Sequence, residues 1–592
     1  MTLRALPLAA LALCACSNAV VSSGSASGSG SGATSASSTT TTGSSTSTTT
    51  SSTSSTTGTT HGSSSGSTTT TGSTSSTGTG STTGTSSSSS STSTTSTTGS
   101  TGLSLGQSID ALVGVNGFID DPQDKLQIFG TVREYHDWSV CDGNGDASYT
   151  GYPNNQLQFS LWGGFWDFDS YYTQLAQAGI TAWPAVQGGV SYINNGAIPP
   201  VESGADPTLP ASYVASADFL WQFAARYGST TVSDSLLKLA SDQTRKSGMG
   251  VLHYIENGNE PDNNWTHSDG SPLFSAAMFA AKSSADYDGD QGRMGNTVGI
   301  KNADPNMKMV LAGLAMAGSS DSVTNAKNYL EGIRTWANAN RGGSFPADVI
   351  NIHYYCFGPD GYGVPNPRPG KSPEDCGLTA LLQQMVAYRN TSLPQQELWL
   401  TEFGYDTDPG SNLLAPAIGN NSGEVVQAQW LVRSILAIAE SGIDRATIFV
   451  SRDGCTGSSC SNASVQFTTS GVTTDMNSGF TPKPSWFYLS AFRHALAGLR
   501  FAGTRQTGRS DVRVDAFADA SGKGAYVVWV PSSTAATISG YSLAVPGASS
   551  ATEVQLVDQS ETGSSSALSL SSGNVSVDVS ETPVIVQVDQ VR

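Results

Sequence analysis

The strongest constraint on this chain is an alternation running through its middle. Between residues 103 and 499, short apolar, β-branched runs alternate with stretches of helical periodicity. The runs predict strands at 111–118, 128–135, 180–186, 251–256, 309–315, 349–355, 398–403 and 446–450. Most are followed by helical patterns, as at 168–178, 213–227, 323–339, 378–389, 425–441 and 486–496. Such strand–helix repeats predict an α/β fold, a (β/α)8 TIM barrel with long loops.

The flanking segments have a different texture. Residues 500–592 lose the helical period and run as β-branched segments with Gly/Ser turns, predicting a C-terminal antiparallel β-sandwich. Tyr526 and Trp529 lie within those segments and are expected in its core rather than as an exposed platform for sugars. Residues 17–102 are almost entirely Ser, Thr and Gly. That tract has too little apolar surface to offset its ordering entropy, so a disordered linker is expected. As a flexible coil it would span on the order of 50 Å.

Residues 1–16 read as a lipoprotein signal peptide. Arg4 supplies the positive end, and residues 6–13 form an apolar stretch too short to span a bilayer. The run Leu13-Cys14-Ala15-Cys16 resembles a bacterial lipobox, with Cys16 as the lipidated residue; an ordinary secretory peptide cut a few residues later is the alternative. Either way the protein is expected outside the cell, at the cell surface or outer membrane through the anchor, otherwise secreted. Export permits disulfides, and the local pairings Cys455–Cys460 and Cys356–Cys376 are favoured, leaving Cys141 free. A formal net charge of -19 argues against nucleic acid or anionic membrane as partner and suits a neutral ligand.

Two carboxylates stand at the ends of predicted strands. Glu260, in Asn259-Glu260-Pro261, follows the fourth strand; Glu402, in Leu400-Thr401-Glu402-Phe403-Gly404, ends the seventh. Active sites of (β/α)8 barrels lie at the C-terminal ends of the strands. A pair of carboxyl groups facing one another there is what glycoside hydrolysis uses, one as proton donor and one as nucleophile or base. Taken alone, either Glu has the plainer reading of a cap or a surface ion pair.

These motifs resemble those of the retaining glycoside hydrolases of clan A. The resemblance covers the barrel and implies Glu260 as acid/base, Glu402 as nucleophile and Asn259 as donor to the sugar 2-hydroxyl. It implies that Arg133 steadies the nucleophile. At the end of the sixth strand it favours Tyr355 as hydrogen-bond donor, with His353 as the alternative. Two departures are visible: Trp183-Pro184-Ala185-Val186-Gln187 stands where many members have a His, and the eighth strand runs into Val450-Ser451-Arg452-Asp453 rather than a Trp. Trp183 and Trp486 are therefore carried as substrate-binding candidates, the latter as a substitute floor.

The run Arg133-Glu134-Tyr135-His136-Asp137-Trp138 is rich in sugar-binding residue types, and Trp162, Trp166 and Trp265 extend that candidate platform. Asp142-Gly143-Asn144-Gly145-Asp146 and Asp286-Tyr287-Asp288-Gly289-Asp290 resemble fragments of structural calcium loops, without the Glu at the twelfth position; a plain turn is the stronger expectation. No catalytic metal or other cofactor is expected. The resemblance implies a monomeric hydrolase of β-linked polysaccharide or oligosaccharide, with an endo-β-glucanase, preferably on β-1,3-glucan, as the leading expectation. Mannanase, xylanase or xylosidase activity is the alternative within the class. A non-catalytic surface glycan-binding protein is the alternative outside it.

Overall fold

Eight short strands run parallel, in the order of the chain. They are β1 (Gly114–Gly117), β2 (Thr131–Asp137), β3 (Thr181–Gln187), β4 (Tyr254–Glu256), β5 (Lys308–Val310), β6 (Val349–His353), β7 (Glu397–Glu402) and β8 (Arg445–Ala446). A bridge between Val115 and Ile448 joins the last turn of the sheet to the first and closes the barrel. This computed structural model describes residues 103–592, apart from 144–147, 265–266, 268–270, 317–320, 361–363 and 456–465. The expectations for residues 1–102, including lipidation at Cys16, lie outside the described residues, as do Asn144, Asp146, Trp265 and Cys460.

From β2 onward each strand is followed by a returning helix: α1 (Phe168–Gln177), α2 (Val214–Tyr227), α3 (Ala276–Asp288), α4 (Ser322–Asn340), α5 (Leu378–Ser392), α6 (Gly423–Ser441) and α7 (Pro484–Ala495). Several start on a side-chain cap that takes up an otherwise unpaired N–H: Ser275 accepts from Met278, Asp321 from Thr324 and Ser422 from Val425. Inside the barrel, Trp183, Tyr254, Val310, Val349 and Trp399 pack as one apolar layer. This layer supports the strand ends from below.

After α7 come β9 (Arg500–Thr504), β10 (Arg513–Ala518), β11 (Gly524–Trp529), β12 (Thr537–Ala544), β13 (Ala551–Gln555), β14 (Ser564–Ala567), β15 (Asn574–Ser580) and β16 (Val584–Val588). Six form an antiparallel sheet in the order β9-β10-β11-β16-β13-β14, and β12 pairs with β15 in a second sheet. Alternation sorts the residues of β11 and β16 onto two faces. Tyr526, Val528 and Val586 join the core between the sheets, whereas Val527, Trp529 and Ile585 join the barrel's own core. Tyr526 and Trp529 are core residues, as expected, each 1% exposed.

Cys356 and Cys376 are disulfide-bonded, tying the loop after β6 to the start of α5. Cys455 is also disulfide-bonded, and Cys141 is free and buried. The Cys356–Cys376 bond closes a loop with a sequence separation of 20. A bond over such a loop stabilises by about 3 kcal/mol, chiefly by restricting the unfolded chain. Cys376→Ser is therefore expected to lower the urea midpoint, read by tryptophan fluorescence, with a slope somewhat steeper because the unfolded chain is no longer cross-linked there.

The second calcium-like segment is a set of ion pairs instead. Asp286 pairs with Lys282 at 2.6 Å, Asp288 with Arg341 at 2.8 Å and Asp290 with Arg293 at 3.1 Å. Each carboxylate is aimed at a cation of the protein and not at a common centre, so the lesser, calcium-loop reading finds no support in this segment.

Candidate active site

The site grows from Arg133, on β2. Its guanidinium is fully buried and uses all five N–H groups. Two go to Glu256 at the end of β4, both at 2.8 Å. The others go to Glu402 Oε1 at 2.9 Å, Asn116 at 2.9 Å and Asn259 Oδ1 at 2.8 Å. Arginine's planar fork suits this task, because one rigid group fixes residues from three other strand ends, those of β1, β4 and β7. Glu402 also accepts from the Tyr135 hydroxyl on Oε1 and from the Tyr355 hydroxyl on Oε2, the latter at 2.8 Å.

Glu260 sits in the turn after β4 with φ of 45°, a left-handed conformation unusual for a residue with a side chain. Two contacts hold the turn: the Glu260 N–H donates to the Gly313 carbonyl at 3.0 Å, and Asn263 Nδ2 donates to the Glu260 carbonyl at 2.9 Å. Glu260 Oε1 then lies 2.9 Å from His353 Nδ1, which is also 3.4 Å from Glu402 Oε1. Gly313 lets the imidazole in, since a Cβ there would stand 2.0 Å from His353 Nε2. One donor atom from each of Glu260, His353 and Glu402 lies within 4.8 Å of the others. A cation held among these three would compete with the Arg133 guanidinium for Glu402.

Burial separates the electrostatics of the two carboxyl groups. It pushes the Glu260 carboxyl well above the usual range, reinforced by Glu402 and Asp262 and opposed by Arg133. Burial also raises Glu402, but Arg133, Tyr135 and Tyr355 all favour its charged form. His353 is held well below the ordinary imidazole range by burial and by Arg133. The arrangement offers one carboxyl group biased to keep its proton and one supplied with donors for its charge.

Asn259, Glu260, Arg133, His353, Tyr355 and Glu402 are thus brought together. His353 and Tyr355 are not alternatives: His353 ends β6, Tyr355 lies two residues past it, and the two side chains reach Glu260 and Glu402 respectively. Trp183 and Trp486 are corrections. The Trp183 ring lies in the layer below the site, against Trp399 at 4.8 Å, with its N–H on Glu256 at 3.2 Å. Trp486 begins α7, is 4% exposed and donates to the Lys125 carbonyl at 3.0 Å, so it packs between elements and provides no floor.

An aromatic wall stands on the Glu402 side instead. Phe449, just past β8, lies 6.2 Å from Tyr135, 6.4 Å from Tyr355 and 5.6 Å from Phe467, centroid to centroid. In the run 133–138 only Arg133 and Tyr135 join the site. Glu134 and His136 face the other way, where His136 packs against Phe168 and Phe223, and Trp138 is buried with its N–H on Asp142. Trp162 is 60% exposed on a short turn, with Trp166 at 5.0 Å. Sequence reading had not singled out Tyr135, Glu256, Asn351, Thr401 or Phe449 individually. Alternation from Arg133 was the available signal for Tyr135.

The fold with these residues at its strand ends is similar to that of a family 39 glycoside hydrolase from the gut symbiont Bacteroides cellulosilyticus WH2, with a TM-score of 0.51 and 14% identity over 82% of each chain. It is also similar to a GH51 arabinofuranosidase from Xanthomonas axonopodis pv. citri, with a TM-score of 0.49 and 13% identity over 82% of this chain and 98% of that one. A GH30 endoxylanase from Clostridium papyrosolvens C71 gives a TM-score of 0.47 and 11% identity, over 83% and 98%. No family model matches the chain, and no curated protein matches it in sequence. At these identities the likeness is one of fold.

Proposed function

We propose that this chain is a retaining glycoside hydrolase that cleaves β-linked polysaccharide by double displacement. The observation that carries this is the facing pair of Glu260 and Glu402, with carboxylate oxygens within 4.8 Å of one another. So close an approach of one oxygen from each group supports the short carboxyl separation of a retaining site, about 5–5.5 Å, over the roughly 6.5–9.5 Å that leaves room for water in an inverting one. Glu402, steadied by Arg133, Tyr135 and Tyr355, attacks the anomeric carbon as the C–O bond breaks. Glu260 gives its proton to the departing oxygen, then takes one from the water that releases the sugar. Asn259 spends its Oδ1 on Arg133, leaving its Nδ2 to donate to the sugar 2-hydroxyl. Both proton transfer and nucleophilic attack come from side chains, and the reading needs no cofactor.

Within that class an endo-acting β-glucanase is the narrower proposal, with β-1,3-glucan as the first substrate and mannan, xylan and xylosides after it. Arg4, the apolar residues 6–13 and Cys16 support an exported, lipid-anchored form.

The test is reducing-sugar release by the full chain on β-1,3-glucan, mixed-linkage glucan, cellulose, mannan and xylan, with the product anomer read by proton NMR. The expected result is release that disappears in Glu402→Gln, with the anomeric configuration kept. Inverted product would refute double displacement. Silence on every polymer, with retention on polysaccharide gels intact, would favour a glycan-binding protein.

A further inference from the structure

The hydrogen bonds beneath Glu260 have a direction, and it is set at Glu256, at the far end of a chain through Asn351, Thr401 and His353. The Glu256 carboxylate can only accept, and it takes two N–H groups from Arg133, one from Trp183, one from the Gly313 backbone and one from Asn351 Nδ2, the last three at 3.2 Å. Asn351 therefore turns its nitrogen toward Glu256 and its oxygen toward Thr401. The Thr401 hydroxyl donates its single hydrogen to that oxygen at 2.9 Å. Its oxygen must then accept from its other neighbour, His353 Nε2, at 3.1 Å. His353 carries its hydrogen on Nε2, and a neutral ring with that hydrogen presents a bare lone pair at Nδ1. Glu260 Oε1 stands 2.9 Å from it. The hydrogen for that contact comes from a protonated Glu260.

We infer that Thr401 and Asn351 are positioning residues that set the tautomer of His353 and thereby keep Glu260 in its acid form. Both are fully buried and act through His353 rather than on a ligand. The acid role itself rests on the glycosidase reading. An ionised Glu260 would face a lone pair, which adds to the burial and to the Glu402 and Asp262 charges that already oppose ionisation, against the one cation, Arg133. Around His353, Arg133 opposes a second ring proton, while Glu260 and Glu402 are the carboxyl groups that face Nδ1. After the first chemical step, the Glu260 carboxylate left beside that lone pair is a stronger base toward water.

Nitrogen-15 NMR of the full chain, labelled at its 6 histidines, reads the tautomer directly, with His353→Gln for assignment. The expected wild-type spectrum has His353 neutral, protonated on Nε2, and unchanged from about pH 5 to 8. Thr401→Val removes the acceptor for Nε2–H. The ring is expected to move its hydrogen to Nδ1, where it stabilises the Glu260 carboxylate. The Glu260 titration, followed by carbon-13 NMR of its carboxyl group, then moves to lower pH by about one unit, a tenfold rise in acid dissociation. The alkaline limb of kcat/KM moves down with it. Thr401→Ser keeps the hydroxyl and is expected to keep the wild-type tautomer and titration. Wild-type protein protonated on Nδ1 overturns the inference, as does a valine variant in which neither quantity moves. The tautomer is read without substrate, so the wild-type measurement decides even if the valine variant fails to fold. A wild-type Nε2–H signature in a protein inert on every glycan would support the network and sink the glycosidase reading instead.

Discussion

Glu402→Gln lowers kcat by a factor on the order of 10⁴ or more, while the melting transition stays in place to within a few degrees. The size follows from removing the proposed nucleophile of a site whose groups act as a unit, and 10⁴ corresponds to about 5.5 kcal/mol of barrier. Glutamine keeps the shape of the side chain and, with its oxygen in the Oε1 position, the acceptor for Arg133 and Tyr135, while its NH2 donates to the Tyr355 hydroxyl; it has no charge with which to attack carbon. Stopped assays on the best polymer of the panel, with calorimetry on the same samples, check both halves. Residual turnover within tenfold of wild type would remove Glu402 from the mechanism.

Arg133→Met produces the largest loss of stability, on the order of 3–5 kcal/mol, together with loss of activity. The guanidinium is 0% exposed and is the direct ion-pair partner of both Glu256 and Glu402, whose side chains are 0% and 1% exposed. Removing one partner of a buried pair leaves the other charge without compensation, which is where the cost arises. Denaturant unfolding monitored by circular dichroism measures it. A loss below about 1 kcal/mol would mean that water or rearrangement solvates the carboxylates, and that Arg133 does not organise the strand ends.

The barrel was legible because each strand is a local apolar run, and the predicted segments overlap all of β1 to β8. Glu260, Glu402 and Arg133 were legible for the same reason: each sits at or just past a strand whose position could be read. The sandwich was read less completely. β14, with the sequence Ser564-Ser565-Ser566-Ala567, has no apolar pattern and is a strand only because β13 offers it an edge. Among the site residues, Trp183 and Trp486 misled because an indole suits a sugar face and a core equally well, and only tertiary packing decides between them. The chain from Glu256 through Asn351 and Thr401 to His353 was not legible at all. It depends on register across β4, β6 and β7, which no local pattern encodes.

The sandwich places Val527, Trp529 and Ile585 in the same core as the barrel, and Gln429, Arg433 and Glu374 of the barrel bond to Thr582, Ser532 and Trp529 at 2.7, 2.9 and 2.9 Å. The two layers are thus interdependent rather than modular. A recombination event that exchanged the sandwich for an unrelated appended fold would strand an apolar face on α6 and α7, so this pair is expected to be inherited together.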